Sequence, residues 1–191
     1  MRTAEQAKMI AYRAVASKFP SAQMAFCAGS IIRGEGTDTS DIDLVVIFPE
    51  LKHAWRESFI FNGCPVEVFV HDLATLNYYI SESDAKTGVP SLAQMIVEGT
   101  VVWGSEQDAA KLKTFTKSII ETGPPPLSFE DLCNRIYGIS DLVVDLNSPR
   151  SRTEAVGIAT RLYHQLADFA LRSQKCWSGA GRQIPRALQR N

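Results

Sequence analysis

The sequence predicts an α+β fold: a small mixed twisted sheet flanked by helices, followed by a C-terminal helical bundle. Three observations carry this. Short apolar runs of strand length recur through the first half, between stretches with helical spacing. The Asn62-Gly63 pair joins two of those runs as a hairpin. Beyond the Gly-Pro-Pro-Pro stretch at 123–126, only helical periods remain.

In chain order, Thr3 with Gln6 forms a capping box, and Ala7, Ile10, Ala11, Ala14 and Val15 recur at helical spacing, so 4–18 is a helix that Pro20 ends. Residues 22–28 read as a short buried strand running into Gly29. A polar loop with Gly34, Gly36, Thr37, Thr39 and Ser40 then leads to the apolar run Ile42 to Phe48, a buried strand with Asp41 and Asp43 at its start. Side chains alternate along a strand, so positions 41 and 43 share a face about 7 Å apart, and Ile42 and Leu44 take the other. Carboxylates are poor company in a core strand, and a positive ligand between them is expected.

Residues 54–70 make the hairpin, with Glu67 mid-strand: Val66, Val68 and Val70 face one way, and Glu67, Phe69 and His71 the other. Helices are expected at 72–84 and 90–98, a short strand at 100–103 and a connecting helix at 105–121. The predicted domains are 1–106, catalytic, and 107–191, helical. In the helical half, Ser128 with Asp131 caps a helix whose apolar positions are Leu132, Ile136, Ile139, Val143 and Leu146. Ser151 with Glu154 caps another, with Val156, Ala159, Leu162, Leu166 and Phe169 in phase, and a last helix starts at IPRALQR. These faces read as bundle core.

The chain has 191 residues, a formal net charge of −1 and a pI near 6.3, whereas proteins that grip long nucleic acid show a basic excess; no such partner is expected. The four cysteines are too far apart for close zinc-type pairs, and Cys27 and Cys64 read as buried thiols. No stretch is long and apolar enough for a membrane, no secretory pattern opens the sequence, and a cytoplasmic location is expected.

The first half thus offers Gly29-Ser30 at a strand end, Asp41-x-Asp43 at a strand start and Glu67 on a hairpin strand. Two carboxylates on one strand face and a third from a neighbour can surround a hard divalent cation such as Mg²⁺, which also takes phosphate oxygens. Gly29 permits close backbone approach, and amides at a following helix start, with the Ser30 hydroxyl, can hold phosphate; Ser40 lies in the loop that would fold over it. Asp72 is the rival third acid, and Ser30 also reads as a plain helix N-cap. Arg33 could reach phosphate or stay solvated. His53, His71 and His164 lack metal spacing, and Arg161, Lys175 and Arg182 read as solvated helix-face residues.

Gly-Ser, a ten-residue gap, Asp-Ile-Asp-Leu and a later strand acid resemble the signature of the nucleotidyltransferase superfamily related to DNA polymerase beta. The likeness is nearest to small bacterial aminoglycoside and lincosamide nucleotidyltransferases. It covers residues 5–104, where VEGTVVWG looks like the closing strand; the helical half is similar in type and order only. The WSGAGRQIPRAL segment looks like a family ending that often continues, so a short or truncated version is expected.

The resemblance implies the nucleotidyltransferase fold and transfer of a nucleoside monophosphate from ATP or another NTP to a hydroxyl of a small-molecule acceptor, with pyrophosphate released. An antibiotic acceptor, and so a role in resistance, comes with it. Asp41 and Asp43 would hold two Mg²⁺ about 4 Å apart. Glu67 would be the third metal ligand or the proton acceptor, and Gly29, Ser30 and Ser40 would hold the nucleotide. A homodimer that closes the cleft is expected. The alternatives are an antitoxin-like nucleotidyltransferase that modifies or binds a partner protein, and a non-catalytic nucleotide-binding module.

Overall fold

A computed structural model of the chain describes residues 2–190. Helix α1 (Ala4–Lys18) starts at the expected capping box: the Thr3 hydroxyl accepts from the Gln6 amide, and the Gln6 side chain accepts from the Thr3 amide. Strands β1 (Met24–Ala28), β2 (Ile42–Ile47), β3 (Trp55–Phe61), β4 (Cys64–His71) and β5 (Thr100–Gly104) form one sheet in the order β3-β4-β2-β1-β5. Only β2 and β4 run parallel; the other neighbours are antiparallel. The fold class is the one read from the sequence: a mixed sheet with helices, then helices alone.

The β3–β4 turn is Asn62-Gly63, with φ of +49° and +72°. Both central residues are left-handed, as the tightest hairpin turn requires, and the register follows: Phe61 pairs with Cys64 and Ser58 with Glu67. Period-two alternation sends Ile42, Leu44, Val46, Val66, Val68 and Val70 into a core against α1. Val45, Ile47 and Phe26 pack on the opposite face with Leu76, Ile80, Leu92 and Ile96. Both large clusters of buried apolar side chains lie in this sheet region.

The helix expected over 72–84 is three pieces, α2 (Leu73–Tyr78), a π-helical stretch (Tyr79–Asp84) and α3 (Ala85–Thr87). Leu76, Ile80 and Asp84 are all buried at spacings of four, and the wider i→i+5 winding keeps Ile80 and Asp84 on one side. Asp72 caps α2: its side chain accepts from the Thr75 and Leu51 amides. Those bonds hold its carboxyl below the usual range. Helices α4 (Ser91–Glu98) and α5 (Glu106–Thr122) complete this region.

The chain divides into two compact units. The first is residues 1–84 with 91–122, so α5 packs with the sheet; the second is 85–90 with 123–191. The second contains α6 (Phe129–Asn147), α7 (Arg152–Ser173) and α8 (Ile184–Arg190), and α6 and α7 have the Ser128 and Ser151 caps read from the sequence. Segment 85–90 joins it through the Ser178 amide, which donates to the Gly88 carbonyl at 2.7 Å.

The inward faces of α6 and α7 differ from the predicted stripes. Ile136, Val143, Val156, Ala159 and Leu166 are exposed, and on α6 only Leu142 is fully buried. The helices are rotated so that Arg135 of α6 faces Asp168 of α7 in an ion pair, with Arg172 buried nearby. A polar-lined recess of about 680 Å³, with Asn134, His164 and Gln165 on its walls, lies between them. No helix among the described residues is long and apolar enough to cross a membrane.

Candidate active site

Register assembles the acids. In the parallel β2–β4 pair Asp43 lies beside Glu67, in the antiparallel β1–β2 pair it lies beside Ala28, and in the hairpin Glu67 lies beside Ser58. One row across the sheet therefore reads Ser58, Glu67, Asp43, Ala28, and Gly29 follows directly. Asp41, two residues before Asp43, shares its face. Asp41, Asp43 and Glu67, all half-buried, each present a carboxylate oxygen, and these oxygens lie within 4.8 Å of one another. At that spacing each pair of charges repels by on the order of 1 kcal/mol even with water-like screening, and more where protein displaces solvent.

Gly29 sits at the bend with φ of +87°, and a side-chain carbon built there would stand 2.0 Å from Asp43 Oδ2. Glycine is required twice, for the left-handed backbone and for the carboxylate lying over it. The expected helix start after Gly29 is instead an irregular turn, closed by the Arg33 amide to the Gly29 carbonyl at 3.2 Å and the Glu35 amide to the Ser30 carbonyl at 2.8 Å. Ser30 therefore caps no regular helix. Its hydroxyl donates to Ser40 Oγ at 3.1 Å, and Ser40 Oγ accepts from the Thr37 amide at 2.8 Å. Ser30 and Ser40, ten residues apart, thus meet across the loop.

The rival third acid, Asp72, is engaged as a helix cap and is not among the three. Arg33 pairs with Glu35 and Glu98 rather than standing free. His71 is buried against Tyr79, and burial lowers its imidazole below the ordinary value. Cys27 and Cys64 are buried free thiols as expected. Burial, and then the Asp43 charge, push the Cys27 thiol up to about 12, so it is no nucleophile near neutral pH. The side chain of Arg182 lies outside the described residues.

Sequence reasoning missed Arg56. Its Nε donates to Glu67 Oε1 at 2.7 Å, Nη2 closes on the same oxygen, and the guanidinium carbon lies 5.1 Å from the Phe69 ring centroid. The signal was available: a two-residue Asn-Gly turn fixes Phe61 opposite Cys64, hence Arg56 opposite Phe69 on the face that carries Glu67. A shallow recess of about 230 Å³ adjoins the acids, with Asp41, Ser58, Ile60, Pro65 and Glu67 on its walls.

Three clustered carboxylates offer only oxygen donors, the set that hard divalent cations take, and a carbon at Gly29 would fill the space that Asp43 uses; the residues fit such an ion. Residues 9–90, which contain Gly29, Ser30 and all three acids, match the nucleotidyltransferase domain family. The match spans less than half of the chain, and this segment is similar to that domain.

Among solved structures, the chain is similar to a nucleotidyltransferase-like protein from Exiguobacterium sibiricum, with a TM-score of 0.47 at 12% identity over 94% of this chain. The chain spans 62% of that protein's length. It is also similar to a toxin-antitoxin solved with AMP-PNP, at a TM-score of 0.35 and 16% identity, and to a mutant of the toxin-antitoxin MntA-HpeT, at 0.35 and 15%. Each of these two matches covers 71% of this chain and 98% of the other. No curated protein matches the sequence.

Proposed function

We propose that this nucleotidyltransferase transfers a nucleoside monophosphate, AMP in the first instance, from an NTP to a hydroxyl of a small acceptor and releases pyrophosphate. The observation that carries the reading is the convergence of Asp41, Asp43 and Glu67 beside Gly29, within the segment that matches the nucleotidyltransferase domain. The acceptor oxygen attacks the α-phosphorus; the new O–P bond forms as the bond to the bridging oxygen of pyrophosphate breaks.

Asp41, Asp43 and Glu67 would hold Mg²⁺, which when bound neutralises charge on the triphosphate and on the leaving pyrophosphate. Glu67 is the candidate acceptor for the proton of the attacking hydroxyl: Oε1 is bonded to Arg56, and among the described residues Oε2 accepts no hydrogen bond. The hydroxyls of Ser30 and Ser40, which meet across the loop, suit phosphate oxygens. The near-neutral total charge, −1, favours a small acceptor over a polyanion. Hydroxylated antibiotics of the aminoglycoside and lincosamide kind are the acceptors we propose to test first.

Incubation with α-labelled ATP, Mg²⁺ and a panel of such acceptors is expected to give labelled small molecule and pyrophosphate, both lost in Asp43→Asn. Label on a co-purified protein would assign a protein acceptor instead. Nucleotide binding without pyrophosphate from any acceptor would overturn the transfer reading.

A further inference from the structure

We propose that Arg56 is the resident counter-ion of the acid cluster, holding Glu67 in the metal-free state and giving it up to a divalent cation. The inference rests on the reading above, in which Asp41, Asp43 and Glu67 take that cation.

Arg56 and Glu67 are diagonal neighbours across the β3–β4 ladder, a separation that a long side chain spans. The guanidinium lies near the Phe69 ring, opposite it in register, and reaches along the face to Glu67. Its two donors converge on the single oxygen Oε1 rather than gripping both carboxylate oxygens, so the strongest Arg–carboxylate geometry is not made. The Arg56 side chain is 63% exposed and that of Glu67 18%. A pair with one solvated partner is weak and easily exchanged.

The decisive question is which effect of Arg56 on a cation dominates. Were it needed to position Glu67, losing it would weaken binding. Glu67, however, sits mid-strand with Asp43 paired on one side and Ser58 on the other, so the backbone already fixes its Cα and direction. Charge remains. A guanidinium bonded to one of three ligand carboxylates repels an incoming cation, and with surface-like screening that repulsion weakens binding by about three- to tenfold. In exchange, it offsets the mutual repulsion of the acids while no cation is present.

The test is Mn²⁺ binding to the full chain, by calorimetry and by the electron spin resonance signal of free Mn²⁺, in wild type, Arg56→Gln and Arg56→Lys. Arg56→Gln is expected to bind Mn²⁺ about three- to tenfold tighter, with the gain shrinking at 0.5 M salt and Arg56→Lys staying near wild type. By linkage, the rise in Tm caused by saturating Mn²⁺ is expected to be larger in Arg56→Gln than in wild type, because its metal-free state is less stable and its affinity higher. Arg56→Met, which keeps the stem over Phe69, replaces Gln if that variant does not fold. Equal or weaker Mn²⁺ binding in the neutral variant, with wild type binding normally, overturns the role of Arg56 alone. No Mn²⁺ binding by wild type overturns the metal reading of the acids and this inference with it.

Discussion

In the sheet unit the side chains of β1 and β2 are buried from Met24 to Ala28 and from Leu44 to Ile47, and three half-buried acids, Asp41 and Asp43 at the start of β2 and Glu67 on β4, gather at one end of one face. In the helical unit the pattern is inverted: Phe129 is 83% exposed, Tyr137 74% and Val144 68%, while Arg172 is buried and Arg135 meets Asp168 between α6 and α7. Out-of-place polarity therefore means different things in the two units. In the first, two large apolar clusters carry the fold, and the half-buried acids gather outside them. In the second, polar pairs take part in orienting the helices, and a buried charge is a packing feature.

The largest effect expected to sharpen this contrast is on activity. Asp43→Asn keeps shape and removes a charge, and pyrophosphate release is expected to fall by on the order of 10²–10³-fold. Its Tm should stay within a few degrees of wild type, since Asp43 is at the end of β2 and outside both apolar clusters. A collapse in stability instead would make Asp43 a structural residue and erase the distinction.

Next comes stability. Leu44→Ala empties a fully buried site and is expected to cost about 2–5 kcal/mol in urea unfolding. Ile136→Ala, in a predicted core position that proves to be 51% exposed, is expected to change stability by less than about 0.5 kcal/mol. Similar losses at both sites would mean that α6 buries its predicted stripe after all.

This pairing also shows what the sequence could tell. Strand periodicity has only two faces, so one buried Val fixes the side of its neighbours: Asp41 and Asp43 were legible as one face, and Glu67 as lying opposite Val66 and Val68 on its own strand. The Asn62-Gly63 turn added the register. Helical periodicity is more forgiving. On α6, Leu132, Ile139 and Leu146 fit either Ile136 and Val143 or Arg135 and Leu142 as companions, and the choice was made by Asp168, on another helix. The loop after Ser30 was illegible for a similar reason, because its turn depends on Ser30 meeting Ser40. Arg56 was legible in principle, since the turn alone places it on the face of Glu67.

Two titrating groups in the sheet unit give a pH test. Burial raises the Asp84 carboxyl from 3.8 to about 6, although the Leu92 amide donates to it at 3.0 Å. A raised folded-state value means that its contribution is fully present below pH 3.8 and is lost as pH rises through about 6. Asp84→Asn, which can still accept from Leu92, is therefore expected to gain on wild type as pH rises from 4 to above 7, with the difference growing through about pH 6. Buried His71 acts in the opposite sense: its lowered value takes stability away as pH falls below 6.5, so in wild type the two contributions oppose each other across this window and their sum has no maximum there. Unfolding at pH 4.5, 6 and 7.5 checks both; a flat difference between Asp84→Asn and wild type would show that Asp84 is not buried as a charge.

The last expected effect probes the charges of the helical unit directly. Arg172 is 3% exposed, its Nη2 donates to the Pro125 carbonyl at 3.3 Å, and Nε and Nη1 are buried without a partner among the described residues. Burial lowers its tendency to hold the proton, against help from Asp168 and Asp131. Arg172→Met keeps most of the stem, gives up one bond worth about 1.5–3 kcal/mol and removes two orphaned donors that cost about 1–3 kcal/mol each. Asp168 keeps Arg135, so no carboxylate is stranded. The relieved penalties match or outweigh the lost bond, and a change between about zero and a gain of a few kcal/mol is expected. A loss above about 3 kcal/mol would show that the inward cation holds the helices together, which would place the stability of that unit in its charges rather than in Leu142, Leu162 and Leu171.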